Sequence, residues 1–270
     1  MTGHAIDFLI VGAMKAGTTT LYRDLDLHPD VAMPEQKEPE TLVRWTDRED
    51  IERDYRELFA KAQPGSIRGE ASTAYTKRPH HEGVAARARE INPDLRVVYL
   101  RRDPFERIVS HYRHERQHRR IEAPLAEALR THRELIDFSH YDWQIAPWKQ
   151  AFGAAAVLEI ELEEYAADRA GVLARVLGHI GADPGRMPPP DPSLVANSSR
   201  EQKHMESPLL NAAIRSGLYQ RRIKPLLPRK WREFGRRTIL PEPEAIEATL
   251  SPADREYIAR ELARARQLDG

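Results

Sequence analysis

The chain of 270 residues is long enough to bury a large core, and its content of 40% hydrophobic and 31% charged residues is typical of a globular protein. Its 42 basic and 42 acidic residues balance, so net charge gives no indication of nucleic acid as a partner, and the lack of cysteine excludes disulfides, thiolate metal sites and a cysteine nucleophile. No apolar run approaches the length of a membrane span and the first residues lack a basic signal-like start, so we expect a cytoplasmic protein with no integral membrane segment.

The first predicted elements are a strand, a glycine loop and a helix. Residues 6–12 form a short apolar run that ends at Gly12, and the segment from Thr18 to about Leu27 has apolar residues at helical spacing. Gly12 and Gly17 lie five residues apart, as in a phosphate-binding loop, but a Walker A loop places its lysine directly after the second glycine. Here Lys15 lies inside the loop. The pattern predicts an anion-binding loop, with a plain tight turn as the alternative.

Further strands and helices alternate along the chain. We expect helices over 51–60 and 83–91, from Pro104 onward and through about Ile180, and strands over 66–72, 95–100 and 154–162. This order predicts an α/β fold, P-loop-like, with a central parallel sheet. We expect a single domain with a core over about 5–181 and a C-terminal extension over about 182–270. That extension includes a basic segment, 221–237, and a helix, 251–267, capped by Ser251.

A second stretch, residues 95–114, leads from an apolar strand into Arg102 and then into a helix that carries Ser110 eight residues later. An arginine at the end of a strand and a hydroxyl two helical turns on can converge on a phosphate, because the guanidinium donates two parallel hydrogen bonds. The alternative is a solvated helix start with Asp103 as its cap.

Together, the stretches FLIVGAMKAGTTTLYRDLDLHPDV, KEPE, GEASTAY and VVYLRRDPFERIVSHYRH resemble the sulfotransferases that use 3′-phosphoadenylyl sulfate (PAPS). More narrowly, they are similar to the branch with heparan sulfate N- and O-sulfotransferases and their bacterial relatives. The resemblance implies transfer of a sulfuryl group from PAPS, without a metal ion, and release of adenosine 3′,5′-bisphosphate. The implied acceptor is a hydroxyl, or an amine, of a carbohydrate, a glycolipid or a small metabolite. A bacterial, cytoplasmic enzyme is the form that we expect.

The resemblance also implies roles for individual residues. The loop and the helix start would bind the donor phosphosulfate, through Lys15, Ala16, Gly17, Thr18 and Thr19. The second stretch and a later arginine would bind the 3′-phosphate, through Arg102, Ser110 and Arg200. Lys15 and Glu38 would be catalytic, the glutamate as general base. Lys37 and His81 would bind the acceptor.

Two departures from the family pattern concern the acceptor. Glu40, Thr41 and Leu42 replace the usual His-Phe-Phe after the KEP sequence, and Ala71 stands where relatives often have a lysine. These changes affect the shape and the charge of the acceptor pocket.

Several alternatives stay open at this stage. A P-loop kinase would require Mg²⁺ and ATP, and a nucleotide-binding protein without catalysis would bind the donor but not turn it over. The histidines at 80 and 81 can simply be exposed, His111 and His114 can lie on a solvated helix face, and the basic segment 221–237 can contact a glycan or a membrane surface, or can be a solvated face.

Overall fold

The computed structural model describes residues 4–188, 246 and 248–265. The chain divides into two compact units. Among the described residues, the first unit comprises 4–112, 123–188 and 249–265, and the second comprises 113–122, 246 and 248. The single domain expected from the sequence stays a prediction.

Five parallel strands in the described part of the first unit form one sheet. They are β1 (Phe8–Gly12), β2 (Val31–Ala32), β3 (Ile67–Ala71), β4 (Arg96–Arg101) and β5 (Val157–Glu161), in the spatial order β2-β3-β1-β4-β5. The chain leaves β1 for β2 and β3 on one side and then crosses to β4 and β5 on the other. The strand order therefore reverses at β1, and in open α/β sheets ligands bind at the carboxyl ends of the strands at such a reversal.

Helices connect the strands. Those between β1 and β4 are α1 (Thr18–Leu25), α2 (Thr41–Arg44), α3 (Arg48–Leu58) and α4 (Val84–Ile91). Those between β4 and β5 are α5 (Pro104–Gln117), α6 (Leu125–Thr131), α7 (Glu134–Asp137) and α8 (Tyr141–Phe152). After β5 come α9 (Leu162–Ala167), α10 (Arg169–Ile180) and α11 (Pro252–Ala265), and short 3₁₀ turns cover Thr73–Thr76, Ala154–Ala156 and Pro184–Arg186.

The core explains why the central strands read as continuous apolar runs. Every residue of β1 is buried, and so are Val97 to Leu100 of β4, because helices cover both faces of the sheet. Trp148 of α8 is 1% exposed and packs on Tyr75, whose ring centroid lies 6.4 Å away.

The α/β fold with a parallel sheet is confirmed, and each strand expected from the sequence is present. Three boundaries were wrong. The helix expected over 51–60 is α3, which begins at Arg48 and ends at Leu58. The segment 154–162 begins with a 3₁₀ turn before β5, and the single helix expected up to Ile180 is two helices, because Asp168 ends α9 and its side chain caps α10 by accepting from the Gly171 amide at 2.9 Å.

The last described helix begins as expected. Ser251 Oγ accepts from the Asp254 amide at 3.1 Å, and the Asp254 carboxylate accepts from the Ser251 amide at 3.1 Å, which is a reciprocal cap. Within the first unit, α11 is tied to Arg133, whose guanidinium donates to Glu261 at 2.7 Å.

In the second unit, the Arg113 guanidinium donates to the Ala248 carbonyl at 3.1 Å. None of the helices that the structure describes is both long enough and apolar enough to cross a bilayer.

Candidate donor and acceptor site

The loop between β1 and α1, residues 13–17, lies where the strand order reverses, and we call it the anion loop. The Ala13 amide donates to the Leu100 carbonyl of β4 at 2.7 Å, and the Ala16 amide donates to the Ala13 carbonyl at 3.1 Å. The loop is therefore fastened to the neighbouring strand and folded back on itself. Because the first amides of a helix have no partner within the helix, the start of α1 is suited to an anion.

Two residues of the anion loop have left-handed backbone conformations. Lys15 has φ 68° and Gly17 has φ 90°. Alternation of right-handed and left-handed residues turns successive amides toward one side, which forms a small anion-binding concavity. A side chain at Gly17 would also meet Leu162, since a Cβ there would lie 2.6 Å from Leu162 Cδ1. Glycine is therefore required at this position for two independent reasons.

The five residues predicted to hold the phosphosulfate form one continuous stretch of the loop and the helix start. Ala16 and Thr18 are buried, and Lys15, Gly17 and Thr19 are half-buried. An ammonium, backbone amides and hydroxyls are thus concentrated at one end of the sheet, which is the chemistry that binds a phosphate or a sulfate.

The second predicted stretch lies at the adjacent strand, because β4 pairs with β1. Asp103 caps α5 by accepting from the Glu106 amide at 2.9 Å, as the alternative reading of this stretch proposed. That cap does not involve the Arg102 side chain. In the part of the chain that the structure describes, the Arg102 guanidinium forms an ion pair with the exposed Glu106 at 3.2 Å. Ser110, farther along α5, is 7% exposed.

The neighbouring Arg101 is occupied differently. Its guanidinium lies 2.6 Å from Glu161, 3.3 Å from Glu159 and 3.7 Å from Asp142. Three carboxylates therefore neutralise Arg101, and of the two consecutive arginines Arg102 is the one suited to an incoming anion.

The segment of residues 37–42, which carries Glu38, lies on the other side of β1. The Glu38 amide donates to the Ala71 carbonyl at the end of β3 at 3.0 Å, and the Ser72 amide donates to the Ile10 carbonyl of β1 at 3.1 Å. Glu38 is therefore held at the same end of the sheet as the anion loop. Its carboxylate pairs with the Lys37 ammonium, and both side chains are partly exposed.

His81 lines a cavity of about 370 Å³ in the first unit. Val84, Pro147 and Trp148 supply apolar surface, and Arg78 and Arg89 supply cationic groups. Burial lowers the pKa of His81 from its ordinary value of 6.5, and the charge of Lys77 lowers it further. His81 is half-buried, whereas its neighbour His80 is exposed.

The expectation of a solvated face was wrong for His111. This residue is 2% exposed, because its ring stacks on Phe138 at 5.6 Å between centroids and lies beside the buried Arg107. Phe138 directly follows α7, a helix that was not predicted from the sequence.

Two predicted features lie outside the described residues: Arg200 and the basic segment 221–237. Within residues 4–188 and 248–265, no group of three or more His, Asp or Glu side chains is arranged to hold a metal ion.

Sequence reasoning missed one buried acidic group, Glu70 of β3, which is 0% exposed. It accepts hydrogen bonds from the hydroxyls of Tyr55, Ser72 and Tyr75. The available signal was a charged residue inside a strand with hydroxyl residues two and five positions later.

The parallel sheet carries a glycine loop at the point where the strand order reverses, and a helix begins directly after that loop. This arrangement defines a P-loop-like fold. Comparison with known proteins makes this class specific. Residues 7–184 match the model of the sulfotransferase family, and this chain belongs to that family.

The chain is similar to two proteins in particular. It is 26% identical, over 216 residues, to the bifunctional heparan sulfate N-deacetylase/N-sulfotransferase 4 of Mus musculus, a match that covers 67% of this chain and 23% of the mouse protein. The chain thus spans less than a quarter of that relative. The crystal structure of a sulfotransferase from Alicyclobacillus acidocaldarius superposes with a TM-score of 0.60 and 28% identity, and the match covers 70% of this chain and 87% of that one.

A more distant match is the crystal structure of mouse sulfotransferase SULT7A1 complexed with PAP, with a TM-score of 0.43 and 17% identity over 72% of this chain and 63% of that one. At this level of similarity, the bound PAP carries no argument about this chain.

Proposed function

We propose that this protein transfers a sulfuryl group from PAPS to a hydroxyl or an amine of an acceptor and releases adenosine 3′,5′-bisphosphate. The observation that carries the proposal is the position of the anion loop, which contains Lys15 and follows the central strand β1. On one side of β1, strand β4 leads to Arg102, and on the other side the end of β3 holds Glu38. Membership of the sulfotransferase family supports it.

In the proposed reaction, the acceptor oxygen or nitrogen forms a bond to sulfur while the bond from sulfur to the bridging oxygen of PAPS breaks. Charge grows on the departing 5′-phosphate, and Lys15 with the amides of the anion loop stabilises it. Glu38 takes the proton that the acceptor loses. Binding both substrates at one end of the sheet converts the transfer into an intramolecular step.

The two ends of the nucleotide would be held by different strands. The anion loop after β1 holds the phosphosulfate, and Arg102 and Ser110 after β4 hold the 3′-phosphate. Arg102 suits this role because, among the described residues, its guanidinium pairs with the exposed Glu106, whereas the guanidinium of Arg101 lies near three carboxylates. Arg200 would add a further contact to the 3′-phosphate.

The acceptor would be a carbohydrate, a glycolipid or a small metabolite. The cavity beside His81 and the Lys37 ammonium would contribute to its binding. Apolar residues in the cavity wall suit the face of a sugar or an aromatic ring, and the two arginines suit an acidic substituent. A cytoplasmic location belongs to the same proposal.

The first test is calorimetric titration of the protein with adenosine 3′,5′-bisphosphate, and with ADP and ATP in the presence and absence of Mg²⁺. We expect a metal-independent preference for the 3′-phosphorylated nucleotide, reduced about tenfold or more in Arg102→Ala. Glu106→Gln, which removes only the exposed partner of Arg102, is the matched control and should retain affinity. Equal binding of ADP, or a preference for ATP with Mg²⁺, would refute the proposal in favour of a kinase.

The second test follows the transfer of label from ³⁵S-PAPS to a glucosamine-containing oligosaccharide, a neutral glycoside and p-nitrophenol. Labelled product with any of these acceptors supports the proposal, and its loss in Glu38→Gln supports the general base. Tight binding of the nucleotide without turnover of any of the three would indicate a binding protein instead.

A further inference from the structure

Glu70 is a buried carboxylate whose hydrogen-bond partners are all hydroxyls. One of its oxygens accepts from Ser72 Oγ and from the Tyr75 hydroxyl, both at 2.5 Å, and the other accepts from the Tyr55 hydroxyl at 2.7 Å. Burial of a carboxylate is unfavourable unless such partners replace water. An apolar residue at this position would avoid that cost.

Two of the three hydroxyls connect Glu70 to the segment 37–42. Ser72 Oγ accepts from the Glu40 amide at 3.1 Å, and the Tyr75 hydroxyl accepts from the Leu42 amide at 3.1 Å. A hydroxyl has one proton and two lone pairs. Because an ionised carboxylate only accepts, it draws the protons of both hydroxyls toward itself and leaves their lone pairs for the two amides.

The segment requires this support because its backbone is strained. Glu38 has φ 58° and Glu40 has φ 57°, and each left-handed residue other than glycine costs about 1–2 kcal/mol. Such conformations persist only where the surroundings hold them. The β3 end supplies one such bond, from the Glu38 amide to the Ala71 carbonyl, and the two hydroxyls supply two more. Thr41 Oγ1 also donates to Asp54 at 2.8 Å, and the Arg87 guanidinium donates to the Leu42 carbonyl at 2.9 Å.

We propose that Glu70 is a positioning residue that acts through Ser72 and Tyr75 to hold Glu38 in place for proton transfer. Its functional meaning rests on the proposed sulfuryl transfer. Glu70 has no exposed surface, so we assign it no direct contact with a substrate. The assignment concerns the geometry of the segment 37–42, which can be measured without any substrate.

The chain offers a matched pair of variants. Tyr55 and Tyr75 are both buried, and both donate a hydroxyl proton to Glu70, but only the Tyr75 hydroxyl accepts from the segment. Tyr75→Phe removes the hydroxyl that accepts from the Leu42 amide, whereas Tyr55→Phe removes a hydrogen bond to the same carboxylate and leaves that hydroxyl in place. Ser72→Ala and Glu70→Gln complete the set.

Amide hydrogen exchange, read by mass spectrometry, tests the connection in the protein without nucleotide. In Tyr75→Phe and Ser72→Ala, we expect peptides covering 37–44 to exchange about 5- to 10-fold faster, with β1 and β4 unchanged, because one net hydrogen bond is lost. Tyr55→Phe should leave 37–44 at the wild-type rate. Unchanged exchange in both Tyr75→Phe and Ser72→Ala, or equal acceleration in Tyr55→Phe, would overturn the proposal.

Kinetics test the functional part with ³⁵S-PAPS and the acceptor of the three above that the wild-type protein turns over fastest. We expect kcat to fall about 10- to 100-fold in Tyr75→Phe, as for a base moved by about 1 Å, with the affinity for adenosine 3′,5′-bisphosphate within about twofold of wild type. Glu70→Gln, which keeps a carbonyl acceptor, should retain more activity than Glu70→Ala.

The two proposals fail in different ways. Wild-type protein that does not bind adenosine 3′,5′-bisphosphate overturns the sulfotransferase proposal, whatever the exchange rates are. Wild-type protein that binds and turns over PAPS, with Tyr75→Phe as active as Tyr55→Phe, overturns the positioning role alone.

Discussion

Replacement of Gly17 by alanine tests whether the anion loop depends on glycine for its shape. Gly17 has φ 90°, so an alanine there would be held in the left-handed region, at a cost of about 1–2 kcal/mol. The added Cβ would lie 2.6 Å from Leu162 Cδ1, and overpacking of this kind costs about 1–3 kcal/mol. The two effects together predict a loss of about 2–5 kcal/mol in the free energy of unfolding.

Gly181 is the matched control. It has φ 84° at the end of α10, but a Cβ there would meet no atom within 4 Å. Gly181→Ala therefore measures the backbone strain alone, and any entropic gain from replacing glycine in the unfolded chain is common to both variants. Urea denaturation of the two variants isolates the contact with Leu162 as the difference between them.

A double variant separates the two effects at Gly17. If the contact contributes, Gly17→Ala should cost less in a Leu162→Ala background than in the wild type, by about 1–3 kcal/mol. We also expect Gly17→Ala to weaken the binding of adenosine 3′,5′-bisphosphate about tenfold or more, because the loop amides must shift. A Gly17→Ala variant that is no less stable than Gly181→Ala, with unchanged affinity, would refute this account of the loop.

Three other predictions concern ionisable groups. Arg169→Met should lower the free energy of unfolding, measured by urea denaturation, by about 3–5 kcal/mol, because the buried Asp24 loses the guanidinium that lies 2.8 Å away. Arg175→Met, which breaks an exposed pair, is the control, and an equal loss in both variants would contradict the prediction. Burial raises the pKa of Glu70 above its ordinary value of 4.5, so the folded protein binds this proton more tightly than the unfolded chain does. The stability of the wild type relative to Glu70→Gln should therefore fall as the pH rises from 4.5 through the raised pKa. A difference in stability that does not change with pH would refute this prediction. Burial lowers the pKa of His81 below 6.5, so its NMR titration midpoint should lie below that value; a midpoint above it would show that the imidazole is not desolvated.

The parts of the fold that the sequence predicted are those in which local pattern and tertiary structure agree. The strand ending at Gly12 and the helix beginning at Thr18 carry their own signals, namely an apolar run, a glycine that permits the turn and apolar residues at helical spacing. The reciprocal cap at Ser251 is equally local. Helices α6 and α7 are short, and their residues are buried by contacts distant in sequence, so a single-sequence pattern does not reveal them.

The sequence identifies the motifs of the candidate site but not the contacts that support them. Lys15 was assigned from the loop and the family resemblance, and Glu38 from the resemblance; both roles stay predictions. The hydrogen bonds that connect Glu70 to the segment 37–42 involve a buried strand and a 3₁₀ turn that lie some 30 residues after that segment. These parts meet only in the folded chain; the Glu40 amide, for example, donates to Ser72 across 32 positions. No local pattern encodes such a contact.

Arg101 and Arg102 show why the folded chain is needed to distinguish adjacent residues of one type. In the sequence they are equivalent, two arginines at the end of an apolar strand. Arg101 is the last residue of β4 and Arg102 follows the strand, and their two guanidinium groups have different neighbours. Arg101 meets the carboxylates of Glu159 and Glu161, which precede α9, and its charge is used within the protein. Among the described residues, Arg102 pairs with Glu106, an exposed residue in the first turn of α5, and an exposed pair of this kind contributes little. A phosphate can displace that weak partner at little cost, which makes Arg102 rather than Arg101 the residue whose substitution should weaken nucleotide binding.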